Sequence, residues 1–255
     1  MIRWFKKELD WIALGILFIC CLPLFVNLGT APIYMWDEAT YANNSIDMYL
    51  YHDPIVVRME GEPDLYNTKP PFVLWMQTLS MQIFGMNEFA IRLPSAVLSA
   101  LTMLLLLLFS IKVLHSYQIG FISILTLACS NGYVSNHGAR SGDLDASLVF
   151  WTTLYVLACI KFLIERKEIA IHLAFFSLGV IGAFLSKGVA GYFFLPFLVI
   201  IALINRNLTS IIKEKIFYIS IITIVTVCGG YYLLREQAAA GYWDVIIQSE
   251  LSRYG

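Results

Sequence analysis

Hydrophobic positions along this chain fall into seven long runs, not into the one-sided stripes of soluble helices. They cover Trp11–Leu28, Leu93–Leu114, Gly120–Val134, Ala146–Ile164, Ile171–Leu185, Val189–Ile204 and Ile216–Leu234. About 20 apolar residues in a helix cross the hydrocarbon of a bilayer, so the pattern predicts an all-α protein with about seven transmembrane helices. The third and fifth runs are short for a span. The opening Met1-Ile2-Arg3-Trp4-Phe5-Lys6-Lys7 before an apolar run has the look of a signal peptide. It lacks a convincing small-x-small cleavage site, which predicts a retained first helix.

Polar positions between the runs set the orientation. Arg3, Lys6, Lys7, Lys112, Arg166, Lys167, Arg206, Lys213 and Lys215 all fall on one side when the runs alternate. Lysine and arginine concentrate on the cytoplasmic side, so residues 30–92, 135–145, 186–188 and 235–255 are expected outside it. The first of these segments is long and partly apolar. Asn44–Tyr51 and Pro71–Phe84 predict interfacial helices lying at the membrane surface, the second opening on a proline that suits a first helical turn.

Composition sharpens this picture. Of 255 residues, 59% are hydrophobic and 14% charged, well below the roughly 25% charge of a soluble domain. The net charge of -1 gives no reason to expect nucleic acid as a partner. Cys20, Cys21, Cys129, Cys159 and Cys228 all sit inside apolar runs without metal-type spacing and read as small buried hydrophobes.

The ionisable residues outside the cytoplasmic segments collect at one membrane face. Asp37 and Glu38 follow the first run, Lys69 lies in "YNTKPPF", and Arg140, Asp143 and Asp145 lie in "ARSGDLDAS". Lys187 lies in "LSKG", and Glu250 and Arg253 in "SELSRYG". Charge at the edge of apolar helices is costly and marks functional candidates. Carboxylates there can act as general base toward an acceptor hydroxyl or amine, and Lys and Arg can hold a leaving phosphate. Group transfer from a phosphate-linked lipid donor fits such a boundary. Plainer readings stand beside it: Asp37 and Glu38 as interfacial charges, Lys69 and Lys187 snorkelling to headgroups, Arg140 and Asp145 as a structural ion pair, and His52 and His137 as polar loop residues.

The order of the pieces narrows the choice. An apolar helix, then "WDEATYA", "YNTKPPFVLWMQ", "FGMNEFAIRLPS", "ARSGDLDASLVFW" and "LSKGVAGYFFLP" resembles the GT-C membrane glycosyltransferases of the protein O-mannosyltransferase and aminoarabinose transferase type, over about Trp11 to Tyr254. The resemblance implies transfer of a sugar from a polyprenyl-phosphate donor to a lipid or protein acceptor, outside the cytoplasm of a bacterial inner membrane. It implies Asp37 as catalytic base, with Asp145, and Glu38 beside them, as the further acidic candidates. Lys69, Arg140 and Arg253 match the family's donor contacts; Tyr41, Lys187 and Glu250 complete the candidate substrate-binding set. Two positions depart from the aminoarabinose pattern: Thr68 stands where a glutamate precedes Lys-Pro-Pro, and Thr40 where an arginine follows the aspartate. No metal ligand set is assigned, and a divalent metal is compatible with the chemistry. Family members are commonly about twice as long, so residues 1–255 are expected to form a single catalytic module lacking C-terminal spans. The alternatives are a transporter or flippase of lipid-linked intermediates, or an inactive truncated relative.

Overall fold

The computed structural model describes residues 2–135, 137–165, 168–205 and 211–254; the side chains of 2–9 and 250–254 are outside the description. Helix α1 spans Ile2–Phe25, α2 Asp37–Tyr51, α3 Phe72–Phe84, α4 Glu88–Lys112, α5 Tyr117–Cys129 and α6 Asn131–Val134. Then follow α7 Asp145–Glu165, α8 Ile169–Lys187, a 3-10 turn Gly188–Tyr192, α9 Leu195–Ile204, α10 Lys215–Ala238 and α11 Tyr242–Tyr254.

Four of these are long and apolar enough to cross a membrane: α4, α7, α8 with its 3-10 extension, and α10. The apolar helices over Asp10–Phe25, Phe72–Phe84, Tyr117–Cys129 and Leu195–Ile204 are shorter. The protein is an integral membrane protein with helices matching each of the seven runs. Two runs are interrupted. The third ends as a helix at Cys129, where Ser130 is extended, and resumes as the single turn α6. The sixth begins as a 3-10 turn because Gly188, at φ 63°, breaks α8; glycine is the residue that takes that conformation without strain.

Local signals explain most helix ends. Asn87 caps α4 by accepting from the Ala90 N–H at 2.9 Å, and Ser116 caps α5 by accepting from Ile119, satisfying donors a helix start leaves orphaned. Helix α2 begins at Asp37, seven residues before the predicted Asn44. Two carboxylates in its first turn complement the positive end of the helix dipole. A two-residue hairpin, β1 Arg58–Met59 with β2 Glu62–Pro63, was not predicted. Its corner places Glu60 at φ 55° and Gly61 at φ 85°, the twist that tight hairpins favour.

Several apolar clusters hold the helices, two of them at the centre of helix trios. Ala13, Cys20, Leu24, Met103, Leu107 and Ile124 join α1, α4 and α5. Tyr155, Val180, Ala183 and Leu198 join α7, α8 and α9. Helices α7 and α8 meet closely: a Cβ on Gly179 would lie 2.8 Å from the Tyr155 backbone nitrogen, and one on Gly182 2.2 Å from the Trp151 ring. Small residues permit such approach where no hydrophobic drive exists between helices in lipid. The segment from Arg235, beyond the seventh run, is helical: α10 continues to Ala238 and α11 follows.

Candidate active site

The Asp37-Glu38 pair divides its labour. Glu38 is buried at 2% exposure. It accepts from Arg92 Nε at 2.7 Å and Nη2 at 2.9 Å, from the Tyr34 N–H at 2.7 Å and from the Gly142 N–H at 2.7 Å. Burial pushes its carboxyl up, but these donors together outweigh burial and hold it below the usual glutamate range. Arg92, 1% exposed, also donates to the carbonyls of Leu28, Ala31 and Pro32. One ion pair thus ties the end of the first apolar segment, α2, α4 and the loop before α7 together. Gly142 fits because a Cβ there would lie 2.5 Å from Ile91 Cγ2, and Gln77 secures its carbonyl at 2.8 Å.

Asp37 is different. Its side chain is 59% exposed and its Oδ2 lies 3.9 Å from His137 Nδ1. That nitrogen is 2.5 Å from Asp143 Oδ2, and Asp143 is buried. The hydrogen bond to Asp143, then its charge, raise the pKa of His137. Burial raises Asp143, and the His137 bond opposes it without cancelling it. His137 adopts φ 62°. Asp37, His137 and Asp143 each offer a ligand atom within 4.8 Å of one another. An imidazole with two carboxylates suits a divalent cation of intermediate hardness, so these three residues fit a metal.

The remaining predicted residues have partners of their own. Asp145 opens α7 and pairs with Lys187 at the end of α8, so the alternative Arg140–Asp145 pair does not form. Arg140 instead donates to the carbonyls of Pro23, Val26 (2.8 Å) and Asn27 (3.3 Å), closing the C-terminal end of α1 with a cation as the dipole favours. Lys69 lies in the turn set by Asn67, whose side chain accepts the Lys69 N–H at 3.1 Å. That turn reaches the Lys187 corner, since a Cβ on Gly188 would lie 3.7 Å from Pro70 Cδ. Tyr41 packs on Met48, Val57 and Leu74. The side chains of Glu250 and Arg253 lie outside the described residues, as do the basic residues Arg166, Lys167 and Arg206.

Sequence reasoning missed two buried arginines as organisers and His137 as a partner of the carboxylates. Arg235, fully buried, donates to the carbonyls of Ile55, Val57 and Asp64 and stacks 5.1 Å from the Tyr242 ring. Tyr242 in turn donates to Thr68 O at 2.8 Å, so α10 and α11 hold the loop that carries Lys69. An arginine ending an apolar run was the available signal.

Residues 68–231 match the family model described as dolichyl-phosphate-mannose-protein mannosyltransferase. The undecaprenyl phosphate-alpha-4-amino-4-deoxy-L-arabinose arabinosyl transferase of Pseudomonas savastanoi pv. phaseolicola is 27% identical, over 87% of this chain and 41% of that protein. YkcB of Bacillus subtilis, a candidate mannosyltransferase, is 30% identical over 89% of this chain and 30% of its own length. The crystal structure of ArnT from Cupriavidus metallidurans bound to undecaprenyl phosphate superposes with a TM-score of 0.74 at 18% identity, over 91% of this chain and 42% of that one. The chain therefore has the GT-C fold of ArnT, and it spans less than half the length of the relatives it matches.

Proposed function

We infer, from the premise that this chain belongs to the dolichyl-phosphate-mannose-protein mannosyltransferase family, that it is the catalytic module of a membrane glycosyltransferase. Residues 1–255 form one module. Three of the four shorter apolar segments, in α1, α5 and α9, complete seven crossings with the four long helices, and α2 and α3 lie in the interface on the extracytoplasmic side of a bacterial inner membrane. The donor is a polyprenyl-phosphate-linked sugar, and the acceptor a lipid or protein hydroxyl or amine.

The observation that carries this reading is the exposure of Asp37 beside buried, fully engaged neighbours. Glu38 has every lone pair direction occupied, which suits positioning. Asp37 faces solvent at the end where the segments bearing Lys69, Asp143 and Lys187 converge. In the reaction Asp37 takes the acceptor proton. The acceptor oxygen or nitrogen bonds to the anomeric carbon, and the bond from that carbon to the donor phosphate oxygen breaks. The electron pair leaves on the polyprenyl phosphate, whose charge Lys69 and Arg253 stabilise. Lys187 holds Asp145 in place, and Arg140 fixes the end of α1 against the loop. A metal at Asp37, His137 and Asp143 would supply Lewis-acid stabilisation of the same phosphate.

The test is direct. Reconstituted protein is incubated with a polyprenyl phosphate bearing a radiolabelled sugar and with membrane extract. Label should pass to the extract while free polyprenyl phosphate appears in equal amount. Label that stays on the carrier with lipid and protein fractions alike, in a chain of the full native length, overturns the assignment.

A further inference from the structure

At the end of the bundle opposite Asp37, α4, α7 and α8 leave a groove of about 280 Å³. Its deeper walls are apolar, from Leu105, Leu108, Leu157 and Phe175, while Lys112 and Lys161 stand at the outer end. Lys112 stands in the last turn of α4 and Lys161 about one turn before the end of α7 at Glu165, so both cations lie toward the same end of the groove, with the leucines one to two turns deeper. Lys161 has an exposed i,i+4 contact with Glu165 at 3.9 Å, a geometry that contributes little and leaves its other protons available.

A second observation points to a ligand. His172 lines the same groove, is only 4% exposed, and its Nε2 is buried with no hydrogen-bond partner among the described residues. Its Nδ1 lies 2.9 Å from the Glu168 carbonyl. A carbonyl only accepts, so Nδ1 carries a proton, and in the neutral imidazole Nε2 is left as an acceptor. Buried polar atoms are nearly always satisfied, and an orphan calls for an explanation. The groove therefore asks for three things together: an apolar tail, a negative charge within reach of two lysines, and a hydrogen-bond donor.

We propose that this groove is a binding site for an anionic phospholipid whose headgroup carries hydroxyls, of the phosphatidylglycerol type. Its acyl chain lies along Leu105, Leu108 and Phe175, its phosphate is held by Lys112 and Lys161, and a glycerol hydroxyl donates to His172 Nε2. Basic pockets between helices on the cytoplasmic side are the usual place for such headgroups. The site is remote from Asp37 and independent of the reaction assigned to it.

Native mass spectrometry of the whole chain in detergent tests this, with phosphatidylglycerol, phosphatidylcholine and phosphatidylmethanol added in turn. Phosphatidylmethanol has the charge without the hydroxyls. Wild type should retain phosphatidylglycerol over phosphatidylcholine, and Lys112→Gln with Lys161→Gln should reduce that preference by about five-fold per lysine. His172→Phe should leave the preference over phosphatidylcholine and abolish the smaller one over phosphatidylmethanol. Ala158→Leu, which fills the groove wall without changing charge, should lower retention of all three. Equal retention of all lipids by wild type, a preference unchanged in the double lysine variant, or a groove occupied by a second copy and seen as a dimer that excludes lipid would each overturn the proposal.

Discussion

Replacing Glu38 by glutamine should destabilise the fold strongly although the change is nearly isosteric. Glu38 is 2% exposed and Arg92 1% exposed, so the pair is shielded from water. Removing one member of such a pair costs about 3–5 kcal/mol, because the other charge stays buried and uncompensated. Here Arg92 keeps three carbonyl partners, which places glutamine near 3 kcal/mol and alanine near 5 kcal/mol, as rough values on the same scale. Glutamine also turns an NH2 group toward donors that previously met carboxylate oxygen. At about 2–4 °C per kcal/mol for a chain of this size, Glu38→Gln should melt roughly 6–12 °C below wild type.

A thiol-reactive fluorophore reads the transition, since Cys20 and Cys228 are buried; exposed Cys129 is first replaced by serine. The pH dependence has a definite sign. The folded pKa of Glu38 lies below its unfolded value, so its contribution is present above the unfolded pKa and lost as pH falls through the folded one. Wild type should lose stability on acidification below the ordinary glutamate range more steeply than Glu38→Gln does. A variant that melts within about 1 °C of wild type would mean that Arg92 is solvated and that the pair does not organise the site.

Other consequences are checked more simply. Asp143→Asn keeps a hydrogen bond to His137 but removes the charge, so the imidazole pKa, raised in wild type, should fall toward its ordinary value in an NMR titration. Because the folded His137 value is the higher one, the pair stabilises the loop below the unfolded pKa and that contribution fades as pH rises through the folded pKa. Arg235→Ala strips three loop carbonyls of their donor, and limited proteolysis should then cut faster within residues 55–66. For topology, cysteine at Tyr66, 93% exposed, should label from outside the cell and cysteine at Lys213 should not. Ser141, an obvious sequence choice for that experiment, is buried and would stay silent.

The apolar runs were legible because crossing a bilayer requires length and little else, and helices occupy all seven. Where the chain broke the pattern, a local cause was hidden: Gly188, at positive φ, ends α8 and starts the sixth run as a 3-10 turn. The start of α2 at Asp37 was obscured because its first two turns mix polar and apolar residues without a clean period. Charged residues near the site were visible by their rarity, but their division was not. Which member of Asp37-Glu38 is buried depends on Arg92, 54 residues away from Glu38, and on the backbone of Gly142, 104 residues away. His137 read as an ordinary loop residue since its contact with Asp143, six residues on, is made by the fold of an irregular loop that carries no periodic signal.

Asp37→Asn measures the central claim most directly. Asparagine keeps the shape and the solvent-facing position but cannot take a proton. Transfer from the polyprenyl-phosphate sugar should fall by about 100-fold or more, the scale of general-base catalysis. The melting temperature should move by no more than an exposed substitution allows, and donor binding should stay near wild type. Wild-type transfer by Asp37→Asn would contradict the account and move the search for the base to Asp145.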